Sequence, residues 1–140
     1  MNGMIRVYVA GPYSANNVMD VLHNIRKGVG VCAQLVTLGF APYCPWLDHH
    51  YVLSGAAITV RDLQEASMQW LGVSQAMLML SGWEHSKGTR SEWAEALDRG
   101  IPVFSSLDDL LAWREKQVLE NELTIKRLAQ TVCSVDEEAE

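Results

Sequence analysis

Residues 76–80, Ala-Met-Leu-Met-Leu, form an unbroken apolar run between Gln75 and Ser81. Such a run is too short for an independent helix. Lacking polar alternation, it reads as a strand buried on both faces, as in a parallel sheet. The polar, glycine-containing segment 81–89 then forms a loop at that strand's carboxyl end. Residues 90–99 have helical composition, with Ala94, Ala96 and Leu97 as formers and Gly100 as a stop, and Ile101 to Phe104 read as the next strand. A strand–loop–helix–strand unit of this kind places ligands beyond the carboxyl ends of strands, near helix N-termini.

The rest of the chain repeats the alternation. Met4 to Ala10 is rich in Ile, Val and Tyr and reads as the first strand, closed by Gly11-Pro12 and a loop through Asn17. A helix follows, with Val18, Val21, Leu22, Ile25, Val29, Cys32 and Val36 as its expected buried stripe, Asn16 or Asn17 as cap and Gly39 as stop. Gly28 to Ala33 matches the dinucleotide fingerprint, but mid-helix rather than between strand and helix. The small residues are therefore assigned to close helix–sheet packing. Phe40 to Cys44 is the second strand, and Pro45 to Ala57 a longer loop. Thr59 to Asp62 marks a helix start, with Leu63, Ala66 and Trp70 as its stripe, and Leu107 to about Val132 is a terminal helix with Asp108 and Asp109 in its first turn. These patterns predict an α/β fold: a doubly wound, flavodoxin- or Rossmann-like parallel sheet of about four to five strands with helices on both faces. The expected division is an α/β domain over 1–113 and a helical extension over 114–140 that ends in a frayed acidic tail.

Composition narrows the function classes. The 140 residues amount to one domain, with 49% hydrophobic content and five tryptophans to build a core. A net charge of −6 argues against a surface for polymeric nucleic acid. Cys32, Cys44 and Cys133 form no CxxC, so neither a disulfide scaffold nor a zinc site is indicated. Asp48-His49-His50 invites a metal, but adjacent histidines point apart and no third ligand stands at a known spacing. A substrate-facing loop is the expectation there, with no metal and no cofactor. No signal peptide and no 18-residue apolar span is present, so a soluble cytoplasmic protein off the membrane is expected.

Glu92 is the candidate catalytic side chain. In the first turn of a helix starting at 90, the dipole would keep it ionised, and a carboxylate at a strand-end site can act as a covalent nucleophile. The same position is also occupied by acids for helix stability alone.

Three segments together resemble the nucleoside 2-deoxyribosyltransferase superfamily, in its small bacterial and phage branches. They are Val-Tyr-Val-Ala-Gly-Pro-Tyr-Ser at 7–14, Trp70-Leu71 before the central strand, and Ser86-x-Gly88-x-x-x-Glu92-x-x-x-Ala96 followed by Gly100-Ile-Pro-Val. The resemblance spans about residues 5–104. It implies that Glu92 attacks C1′ of a sugar and expels the base. It implies that Ser86, beside Gly88, holds a 5′-phosphate, and that Gly11, Tyr13 and Ser14 line base and sugar. The family's catalytic aspartate falls at Ser67, a departure that leaves Asp48 or a neighbouring subunit to compensate, or activity altered or lost. Glu95, Asp48 and His49 are candidates for a second acid–base group. The function so implied is cleavage or transfer at the N-glycosidic bond of a nucleoside or nucleoside 5′-monophosphate through a covalent glycosyl-Glu intermediate. The alternative is a nucleotide-binding or sensing module without turnover. The implied partners are a small nucleoside or nucleotide and further copies of the chain in a homo-oligomer.

Overall fold

A computed structural model describes residues 3–138. Four strands, β1 (Arg6–Ala10), β2 (Ala41–Tyr43), β3 (Ala76–Met79) and β4 (Val103–Phe104), form one sheet in the order β2-β1-β3-β4. Every neighbouring pair is parallel, with Tyr8 opposite both Tyr43 and Met77 and Ala10 opposite Met79. The apolar run at 76–80 is the buried central strand that its lack of alternation predicts.

The helices are α1 (Val18–Thr37), α2 (Val60–Gly72), α3 (Lys87–Asp98) and α4 (Leu107–Glu138). Strand alternation sends Tyr8 and Ala10 to one face of β1 and Val7 and Val9 to the other. The first face packs with Leu71 of α2, Met77 and Met79 of β3 and Ala96 of α3. With right-handed crossovers, β1–α1–β2 winds one way and the later units the other, so α1 covers the opposite face. The winding reverses between β1 and β3, so the loops 11–17 and 80–86 flank the topological switch point. They touch there. Gly82 holds φ +89, and a Cβ on it would come 3.2 Å from Pro12. Leu80 N–H also donates to Ala10 O at 2.8 Å.

Both helix stripes hold only in part: Val21, Ile25, Val29 and Cys32 of α1 and Leu63 of α2 are buried or half-buried, and the other expected residues are not. On α1 the buried residues are Gly28, Cys32 and Leu35, while Val18, Leu22 and Val36 are exposed. On α2 they are Ser67 and Leu71, and Trp70 is 56% exposed. In both, small or polar side chains take the inner face because a large neighbour comes in against them. Gly28 shows it directly: a Cβ there would lie 2.1 Å from the Trp46 ring. The close packing expected at this glycine is therefore against an indole, not against the sheet.

The caps follow the sequence more closely. Asn17 Oδ1 accepts from Asp20 N–H at 2.9 Å, and Thr59 and Asp62 form a reciprocal capping box at the start of α2. Residues 45–54 are not an irregular loop but a 3-10 helix opened by Pro45. Its tight winding brings the His49 and His50 rings to 4.2 Å rather than letting them diverge.

The chain divides into two compact units, one ending at Ser106 and one starting at Leu107. The second is α4, with Asp108 and Asp109 in its first turn and Leu119, Leu123, Ile125, Leu128 and Val132 exposed. It remains helical to Glu138, so residues 136–138 of the expected frayed tail are helical, and 139–140 lie outside the described residues. Among the described residues no helix is long and apolar enough to cross a membrane.

Candidate active site

α3 begins at Lys87, ahead of the expected start at 90, because Ser86 caps it. Ser86 Oγ accepts from Thr89 N–H at 3.3 Å and from Thr89 Oγ1 at 2.9 Å, and Thr89 is buried. Glu92 consequently lies in the second turn, where the dipole has faded. Its carboxylate is turned inward against the sheet. Tyr8 Oη donates to Glu92 Oε1 at 2.6 Å. Burial raises the Glu92 pKa from 4.5 to about 7, partly opposed by the Tyr8 hydrogen bond. The expectation of a dipole-ionised carboxylate is thus corrected: desolvation wins, and the group is poised near neutrality.

Tyr8 is fully buried. Burial first, then the adjacent Glu92, pushes its phenol far above the ordinary range, so it is a neutral donor at any physiological pH. Its ring stacks on Tyr43 at 5.3 Å, which stacks on Trp70 at 5.7 Å. Ser67, 5% exposed, faces the same cluster. Its Oγ is 3.4 Å from Tyr43 Oη. Glu92, Tyr8, Ser67 and Tyr43 therefore form one polar network under the switch point. No buried side-chain oxygen or nitrogen among the described residues lacks a hydrogen-bond partner.

The remaining predicted residues fall elsewhere around the carboxyl edge. Burial and the Asp48 carboxylate raise the pKa of the Tyr13 phenol, and burial also raises that of Asp48. Tyr43 feels the charges of both Asp48 and Glu92, which links this pair to the network. Gly11 is a packing position: a Cβ on it would lie 3.0 Å from Leu80 and 3.2 Å from Trp46. Ser14 and Gly88 are exposed. Glu95 is tied to Arg99 at 2.6 Å, so it is a helix-surface ion pair rather than a second acid. His49 Nδ1 pairs with Trp46 O, and among the described residues no three His, Cys, Asp or Glu side chains gather as a metal set.

Trp46 is core, 1% exposed, with Nε1 donating to Pro12 O at 3.0 Å. Trp83 packs against the sheet core and tilts on Trp93 at 5.5 Å. Glu92 borders neither of two surface cavities. One, of about 530 Å³, lies along α1 by His23, Arg26, Lys27 and Gln34. The other, of about 200 Å³, lies by Arg6, Pro42, Tyr43 and Trp70.

Sequence reading missed Tyr8 and Tyr43. The available signal was a phenol in the middle of an otherwise aliphatic strand, since a buried Tyr hydroxyl needs a partner.

Fold and site define a doubly wound α/β domain with a desolvated carboxylate and a phenol paired beneath its switch point. A family model described as a domain of unknown function (DUF7768) matches residues 5–106, and the chain belongs to that family. The match ends where the first compact unit ends. No curated protein matches the chain.

Proposed function

We propose that this domain cleaves or transfers at the N-glycosidic bond of a (deoxy)nucleoside or nucleoside 5′-monophosphate, with Glu92 as nucleophile. The supporting observation is the Tyr8–Glu92 pair: a carboxylate with its pKa near 7, held at Oε1 by a neutral phenol 2.6 Å away. Oε2 is then the oxygen left to attack C1′. The C1′–O bond forms as the C1′–N bond breaks, and the base departs with that electron pair and takes up a proton. Water or a second base then displaces Glu92, with retention overall. The resemblance at 7–14 and 86–103 supports a sugar as the electrophile. Ser86, at the mouth of α3, supports a phosphate on that sugar.

The homo-oligomer belongs to the same proposal. Exposed Tyr51, Val52, Leu53, Ile58 and Val60, next to Asp48 in the chain, offer an apolar surface on which a second copy would complete the pocket. One observation favours the second reading, binding without turnover. Ser67, where the resembled superfamily has its aspartate, lies 3.4 Å from the Tyr43 hydroxyl and brings no charge to the site.

The test is base release from a panel of deoxynucleosides and their 5′-monophosphates, followed by chromatography, for wild type and Glu92→Gln. Turnover that falls at least ~10³-fold in the variant supports the assignment. Turnover that survives the substitution removes Glu92 from the role. Thermal stabilisation by ligand without product supports the binding module.

A further inference from the structure

The smaller cavity, of about 200 Å³, stands at the amino end of β1, away from the switch point. Strand alternation puts Arg6 on the face of β1 that carries Tyr8, with Ala41 opposite Arg6 and Tyr43 opposite Tyr8. On β2 a methyl group at 41 therefore stands next to a phenol at 43 on one face. That step in side-chain size leaves room beside the end of α2, where Trp70 lines the same cavity. The Tyr43 and Trp70 rings stack at 5.7 Å with 20° between their planes, so the aromatic wall is held as a unit. Trp70 nevertheless keeps 56% of its surface exposed. The opposite wall is a cation. Arg6 Nε donates to Val73 O at 2.8 Å, which fixes the plane of the guanidinium and leaves its two Nη groups to donate elsewhere. Among the described residues Arg6 pairs with no carboxylate, and none lines the cavity.

We propose that this cavity binds a small planar aromatic acid, with its ring against Tyr43 and Trp70 and its carboxylate on the Nη groups of Arg6. An apolar, aromatic wall with one oriented polar group is the usual make-up of a small-molecule site. The volume lies below the roughly 300–1,000 Å³ of pockets for drug-sized ligands, which selects a compact ring over a nucleotide. The guanidinium selects the charge, because its two end-on N–H groups match the two oxygens of a carboxylate. Glu92 does not border this cavity, so the assignment stands independently of turnover at that carboxylate.

The test titrates benzoate into the full-length, nitrogen-labelled protein and follows the indole N–H signals by NMR, with that of Trp70 assigned by its loss in Trp70→Phe. The Trp70 signal is expected to shift and to saturate. Benzamide keeps the ring and loses the charge, and is expected to bind at least about tenfold more weakly, the worth of one charge-assisted hydrogen bond. Arg6→Gln should weaken benzoate by the same factor. Arg61→Gln, an equal change of charge on α2 but outside the cavity, should leave its affinity unchanged. Because Arg6 also braces Val73, the comparison of the two probes on the wild type decides the matter if Arg6→Gln does not fold. A Trp70 signal that stays put, a shift that never saturates, or equal affinity for benzoate and benzamide would each overturn the assignment.

Discussion

Tyr8 and Glu92 stand 84 positions apart in the chain, and their oxygens lie 2.6 Å apart in the fold. The pair joins the middle of the first strand to the helix after the central one. It ties the ionisation of one side chain to the presence of the other.

Tyr8→Phe keeps the ring that stacks on Tyr43 and removes only the hydroxyl. That hydroxyl opposes the effect of burial on Glu92. The Glu92 titration midpoint should therefore rise above about 7, by about one unit, a typical size for one hydrogen bond to a charged group. A carboxyl-carbon NMR titration reads it directly, and a midpoint that stays or falls contradicts the pairing. Any turnover should shift its acid limb the same way.

Stability should carry the Glu92 signature as well. Its folded pKa, about 7, exceeds the ordinary 4.5, so the folded state binds the proton more tightly. The contribution is fully present below about 4.5 and is lost as pH rises through about 7. The loss is at most about 3.5 kcal/mol, on the order of 1.4 per unit. Asp48 is raised too and has the same sign. Denaturant melts of wild type against Glu92→Gln isolate the Glu92 part: the gap should open in the variant's favour between pH 5 and 8. Parallel curves would show that Glu92 is not desolvated.

Ser67→Asp places a second acid into a cluster already holding Glu92, Tyr8 and Tyr43. Two carboxylates in one buried network cannot both ionise cheaply. The variant should be less stable at pH 8 by about 2–4 kcal/mol and recover much of that at pH 5. Chemical denaturation at the two values measures it; equal losses at both would point to steric crowding instead.

Gly28→Ala and Gly30→Ala differ by half a helical turn and should differ in sign. A Cβ at 28 would lie 2.1 Å from the Trp46 ring, whereas at 30 nothing lies within 4 Å. The first should cost about 1–3 kcal/mol by overpacking, and the second should stabilise by about 0.5–1 kcal/mol as a helix-interior glycine replaced. Melting temperatures of the two variants settle it.

Much of the architecture was readable in the chain because it follows local rules. The apolar run at 76–80, the Asn17 cap and the Thr59–Asp62 box each depend on neighbours within a few residues, and each stands where the residues indicate. The stripes of α1 and α2 are only partly legible, because counting large apolar residues overlooks Gly28 and Ser67, whose inward position depends on Trp46 and Tyr43 arriving from elsewhere. The electrostatics of Glu92 lie beyond any local rule. Moving the helix start to Lys87 took it off the dipole, and only the folded sheet shows that its carboxylate meets a phenol rather than water.

The notch at Gly28 has a consequence for descent. No methyl group fits there while an indole occupies the space, and that indole also holds Pro12 and flanks Gly11. Lineages that exchange the glycine at 28 should have surrendered the tryptophan at 46, and with it the anchor of the first loop.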